Sequence, residues 1–99
     1  MEKKAYRKNS RIIYREEGEG AFLFNPVDGN LKYLNRSAKE IFNLLDPVRE
    51  SRHIVASFCG EHPEIGEDRI RKDVDLLLNQ LAENRFIECI DIDSTQSDA

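Results

Sequence analysis

The chain changes its hydrophobic period at one point, Asn35, and that switch limits the folds open to it. Upstream, Ala21-Phe22-Leu23-Phe24 is a short apolar run that meets the turn cluster Asn25-Pro26-Val27-Asp28-Gly29-Asn30. Pro26 fixes φ, and Asp28, Gly29 and Asn30 tolerate positive φ, so the chain reverses there. A second run, Leu31-Lys32-Tyr33-Leu34, follows, and two such runs joined by a turn read as a β-hairpin. Downstream, Ala38, Ile41, Phe42 and Leu45 recur at the spacing of one helical face. The Asn35 side chain is suited to accept a hydrogen bond from an orphan N–H of that helix. A hairpin that runs directly into an amphipathic helix implies an α+β domain.

The flanking sequence extends this frame. Arg11-Ile12-Ile13-Tyr14-Arg15, before the acidic, glycine-containing turn Glu16 to Gly20, predicts a first strand and completes a three-stranded antiparallel meander. Alternation puts Phe22 and Phe24 on one face and Leu23 on the other, so neither face is plainly polar. The first helix is expected over 36–45, ended by Asp46-Pro47, since Pro47 disfavours helical geometry at Asp46. A second helix is expected over 51–59, with Ser51 as N-cap and Gly60 just past its end. The third, over 67–84, carries Ile70, Val74, Leu77, Leu78 and Leu81 as a core-facing stripe. Glu67 and Asp68 complement the dipole at its start, and Asn84 is expected to end it in the left-handed conformation. Phe86 to Ile90 reads as a short strand or wing. The fold class expected is therefore α+β, a winged helix-turn-helix with an N-terminal three-stranded antiparallel sheet and three helices. One domain over 11–90 is expected, preceded by a polar, basic arm over 1–10 and followed by an acidic, disordered tail over 91–99.

Composition narrows the function. A net charge of −4 among 99 residues argues against a general nucleic-acid or anionic-membrane binder. No apolar run approaches the roughly 20 residues of a membrane span, and no secretory signal is visible, so the cytoplasm is the expected location. Cys59 and Cys89 are then expected to be reduced, partly buried small hydrophobes. Cys59 and His62 stand three apart across a glycine, but two ligands do not make a zinc site. No nucleophile–base constellation, phosphate loop or cofactor motif occurs, so the sequence points to a binding module without a cofactor rather than to an enzyme.

The segment from Ala21 to Leu45, with its Leu34-Asn35 step and its Phe42-Asn43-Leu44-Leu45 ending, resembles the PqqD-like family, named for coenzyme PQQ synthesis protein D and known as a recognition element of ribosomally synthesised, modified peptides. The resemblance runs over about 11–88. It implies a non-catalytic peptide chaperone that binds the leader of a precursor peptide as an added strand. That strand would lie against the third strand of the meander and the third helix, for presentation to a modifying enzyme, often a radical S-adenosylmethionine enzyme. Carried onto this chain, the peptide-binding groove falls on Leu31, Lys32, Tyr33, Leu34, Arg69, Ile70, Asp73, Val74, Leu76 and Leu77. Ile70, Val74 and Leu77 also belong to the core stripe. Asp46-Pro47-Val48 departs from the short glycine turn the family often has. The residues agree with the resemblance at two points. Arg69, Asp73, Leu76 and Gln80 form a second stripe beside the core stripe of the third helix, and Leu31 to Leu34 would be a sheet edge with unpaired backbone groups. The competing reading is a winged-helix DNA-binding regulator using Arg69, Arg71 and Lys72. Glu67, Asp68, Asp73 and Asp75 interleave with those cations and oppose phosphate contacts. An exposed sheet edge would also allow a homodimer.

Overall fold

Nine elements follow one another in a computed structural model that describes residues 4–46 and 48–91: β1 (Lys4–Lys8), β2 (Ile13–Glu17), β3 (Gly20–Phe24), β4 (Leu31–Leu34), α1 (Arg36–Asn43), β5 (Arg49–Glu50), α2 (Ser51–Glu61), α3 (Glu67–Glu83) and β6 (Ile87–Asp91). The meander is present as an antiparallel sheet in the order β2-β3-β4. Its register pairs Ile13 with Phe24 and Phe24 with Leu31, and two residues along pairs Arg15 with Phe22 and Phe22 with Tyr33. The turn between β3 and β4 is held by Asn25, a buried polar residue. Its side chain accepts from the Val27 N–H at 2.9 Å, its own N–H donates to the Asn30 carbonyl at 2.8 Å, and Gly29 adopts a φ of 81°.

The expected switch at Asn35 occurs as read. The Asn35 side chain accepts from the Ala38 N–H at 2.9 Å and caps α1. Leu34, the residue before it, is fully buried, as is Leu23 beside it on the inner face of the sheet. These two join Ala38, Ile41 and Phe42 of α1, Ile54 and Phe58 of α2, and Ile70, Val74, Leu78 and Leu81 of α3 in one core. At about 25 cal/mol per Å² of apolar surface removed from water, that cluster is the main stabilising term for a chain of this size.

Several local expectations are corrected. The first strand lies at Ile13–Glu17 rather than over 11–15. The basic stretch before it is not a free arm, because Lys4–Lys8 form a strand at the centre of a second sheet, ordered β5-β1-β6. Ala5 and Tyr6 are buried there, so two buried side chains, one on each face, and a strand partner on each side outweigh the surrounding charges. The expected wing is β6, running antiparallel to β1 from Ile87 opposite Lys8 to Asp91 opposite Lys4. Asp91 thus belongs to the sheet, and the rest of the expected tail lies outside the described residues, as does Pro47. α1 ends at Asn43 with Leu44 as its C-cap, rather than at Leu45. Ser51 is the first residue of α2 rather than its cap, and Gly60 sits inside that helix, which runs on to Glu61. Asn84 does not take the left-handed conformation (φ −95°); Arg85 does, at φ 66°. The Phe86 N–H donates to the Leu81 carbonyl at 2.9 Å and the Arg85 N–H to the Ala82 carbonyl at 3.1 Å, the paired bonds of a Schellman ending. The first of these bonds turns the chain so that Phe86 and Ile87 enter the core.

Two predictions follow from these positions. A residue with a Cβ is strained in the left-handed region by roughly 1 kcal/mol, so Arg85→Gly is expected to raise the melting temperature by several degrees without altering the fold. Tyr6 has its phenol pushed up to about 12, first by burial, then by the charge and hydrogen bond of the neighbouring Cys89 thiol and by Asp75. The folded state therefore keeps a proton that the unfolded chain gives up near pH 10. Stability from this group is full below about pH 10 and falls as the pH rises toward 12. Urea titrations across that range are expected to show a steeper alkaline loss for the wild type than for Tyr6→Phe.

Candidate peptide-binding site

The open edge of the first sheet is β4, which pairs with β3 and, among the described residues, with no other strand. Rungs of an antiparallel ladder recur every second residue. With Asn25 bonded to Asn30, the next rungs fall at Lys32 and Leu34. The N–H and C=O groups of Leu31 and Tyr33 therefore face outward from the edge. Their side chains point away from the helices and are 64% and 50% exposed. Lys32 and Leu34 project toward the helix side, Lys32 half-buried and Leu34 wholly in the core.

On α3, the residues named for the site divide into three groups. Ile70 and Val74 are buried, and Leu77 is half-buried against the core. Arg69 and Asp73 are exposed and face each other at 3.7 Å one turn apart. Leu76 is 59% exposed, an apolar side chain on the rim of the helix. A small cavity of about 110 Å³ touches Ile70, Asp73 and Val74, and its far side is formed by Ser37 and Ile41 of α1, with Phe58 and Ile65. The expected second wall, β4, does not line this cavity, because the first turn of α1 follows Leu34 immediately and occupies that side. Ser37, Ile41 and Ile65 thus join the surroundings of the site, a placement that periodicity alone did not reveal.

The two arginines on α3 are engaged by their own helix. Arg71 meets Glu67 at 2.7 Å and Asp68 at 3.3 Å, and Arg69 is held by Asp73. A phosphate backbone would have to compete with these acids for both arginines. The Cys59–His62 pair does not assemble into a ligand set. His62 is instead brought near Glu40 and Glu61, ligand atoms of the three lying within 4.8 Å of one another, and its ring packs on Phe58 with centroids 4.7 Å apart. Cys59 is half-buried and Cys89 exposed, and both are free thiols. No helix is long and apolar enough to cross a membrane among the described residues.

Gly20 positions β4. A Cβ at this residue would run into the Leu34 carbonyl and the Tyr33 ring, so only glycine lets the end of β4 lie this close to β3. Gly20→Ala is expected to push β4 away and cost roughly 1–3 kcal/mol, as overpacking does. Urea unfolding would measure the loss, and amide exchange would be faster at Leu34 than in the wild type.

The family described as coenzyme PQQ synthesis protein D (PqqD) matches residues 20–87, from the start of β3 to the start of β6. A search of curated proteins finds no match. Among solved structures the chain is similar to TbiB1, which was solved in complex with the TbiA(beta) leader peptide. The TM-score is 0.73 at 18% identity, covering 83% of this chain and 94% of that one. At that identity the likeness is one of fold. With the matched segment spanning most of its length, the chain belongs to the PqqD family.

Proposed function

We propose that this protein is a non-catalytic recognition domain that binds the leader of a ribosomally made precursor peptide as an extra strand on β4 and presents it to a modifying enzyme. The observation that carries the reading is the edge of β4, where the backbone groups of Leu31 and Tyr33 have no strand partner among the described residues, in a fold shared with a protein solved bound to a leader peptide. Main-chain pairing supplies affinity without sequence demands, and side chains flanking the edge supply selectivity. Lys32, Leu76, Leu77 and the Arg69–Asp73 pair are the groups offered on the helix side. Leu34, Ile70 and Val74 support the edge from the core. The partner enzyme in this reading is a radical S-adenosylmethionine enzyme or another peptide-modifying enzyme, as in the making of coenzyme PQQ or a related product, and the work is done in the cytoplasm.

The test is capture on immobilised protein from an extract of the source cells, with peptide-level mass spectrometry. A short ribosomal peptide is expected on the wild type, and its recovery is expected to fall at least severalfold on Leu76→Glu, a substitution at an exposed position that leaves the fold intact. Hydrogen exchange with the recovered peptide then reads the mode of binding. The amides of Leu31 and Tyr33 are expected to slow on binding, while those of β2 do not change. Recovery of duplex DNA in place of a peptide would transfer the function to α3.

A further inference from the structure

The outer face of the first sheet carries two cross-strand rows. One runs Ile13–Phe24–Leu31 and the other Arg15–Phe22–Tyr33. The helices pack on the opposite face, where Leu23 and Leu34 are buried, so these rows lie open. Ile13 is 54% exposed, Leu31 64%, and Phe22 and Phe24 36% each. Phe22 and Tyr33 meet edge to face with centroids 5.1 Å apart. A shallow trough of about 480 Å³ lies between the rows, lined by Ile13, Arg15, Glu17, Phe22, Phe24 and Leu31. A contiguous apolar surface of this kind marks a contact that the isolated chain does not satisfy.

We infer that this face is a second subsite for the guest strand, and that the leader it accepts carries a continuous apolar run rather than an alternating one. The inference rests on the strand-addition reading and extends it. Both rows end at the free edge, and they end on Leu31 and Tyr33, the two residues whose backbone groups are open for pairing. A strand added there places every second side chain on the same face as Leu31 and Tyr33. The rows therefore continue onto the guest, and an apolar guest side chain at those positions covers the exposed flank of Leu31. The intervening guest side chains point to the helix side of the sheet, the side on which Leu23 and Leu34 are buried. A strand with apolar surroundings on both faces reads as an unbroken apolar run.

The charge distribution favours a guest strand over a second copy of the chain as the occupant. Arg15 and Glu17 pair at 3.2 Å on the β2 side of the face, while the β4 side carries Leu31 and Tyr33. A sheet packed over the whole face would bury that ion pair at a cost in desolvation. A guest at β4 reaches only the apolar side and leaves the pair in water.

The experiment uses a displayed library of random linear peptides of about 15 residues, enough for one strand with flanks. The library is selected on the wild type and on Phe24→Thr/Leu31→Thr, a pair of exposed positions refilled with a residue that favours strands. The wild type is expected to enrich an apolar run of about four residues, the length of a short strand. On the double variant every second position of that run is expected to lose its apolar preference. The best wild-type peptide should bind the variant about tenfold more weakly, the worth of one buried apolar side chain. Serine substitution of the same alternate positions in that peptide should weaken binding to the wild type equally, a readout that does not depend on the variant's folding. If peptides are enriched but only one parity of positions is apolar, or if these substitutions change affinity less than about twofold, the subsite is refuted and strand addition stands. Wild-type dimerisation that the double variant abolishes would give the face to a second copy and overturn the inference. Enrichment of no peptide at all would remove both readings.

Discussion

Everything in this fold hangs on the register of Leu34. It is the last residue of β4 and the one before the Asn35 cap, so its inward side chain fixes two things at once. It sets which face of β4 meets the helices, and it sets where α1 begins. Side chains on a strand alternate, so a slip of one residue would carry Tyr33 into the core and push Leu34 into solvent. The cap at Asn35 would lose its place in the same step. Gly20 reinforces this register from across the sheet, since the Leu34 carbonyl lies where a Cβ would be. The edge presented by β4 is thus held from two sides by core packing, and its outward groups inherit that rigidity. A preorganised edge binds an extended chain without first having to order itself.

The parts of the fold that could be read from sequence are those in which one residue type serves one purpose. Asn35 caps because its side chain accepts from the Ala38 N–H, and the stripe Ile70, Val74, Leu78 and Leu81 faces the core because the period is unmistakable. β1 was hidden because Lys4, Arg7 and Lys8 surround just two buried residues, Ala5 and Tyr6, and its partners come from the middle and the far end of the chain. Such pairing leaves no local signal. Arg85 was hidden for another reason: the geometry of the Schellman turn selected the position, and the sequence offered Asn84, a better left-handed residue, one place too early.

Periodicity marks Leu31–Leu34 and the flank of α3 as candidates for the site, but it does not separate exposed residues from those that hold the scaffold. Leu34, Ile70 and Val74 carry the pattern of a binding face and are wholly buried. The outward aromatic pair Phe22 and Phe24 is visible as an alternation, yet with Leu23 apolar as well nothing in the pattern tells which face the helices take. Their exposure emerges only once α1 has chosen the Leu23 side.

The open strand edges of the protein are not equally protected, and the difference bears on function. Edge strands invite pairing, and proteins blunt them with charge or by keeping them short. β5 is two residues long. β2 carries Arg15, Glu16 and Glu17 along its edge, and β6 carries Glu88, tied to Arg7 at 2.6 Å. β4, four residues long, carries a single charge, Lys32, whose side chain turns toward the helix side, and it leads with Leu31 and Tyr33. A chain with 34% charged residues had ample means to guard this edge as it guards the others. Leaving it bare carries a standing risk of aggregation, and such a risk is tolerated where the edge is used. The unguarded strand is also the one where the two apolar rows of the outer face end, so the backbone and the side chains of β4 point to a single occupant.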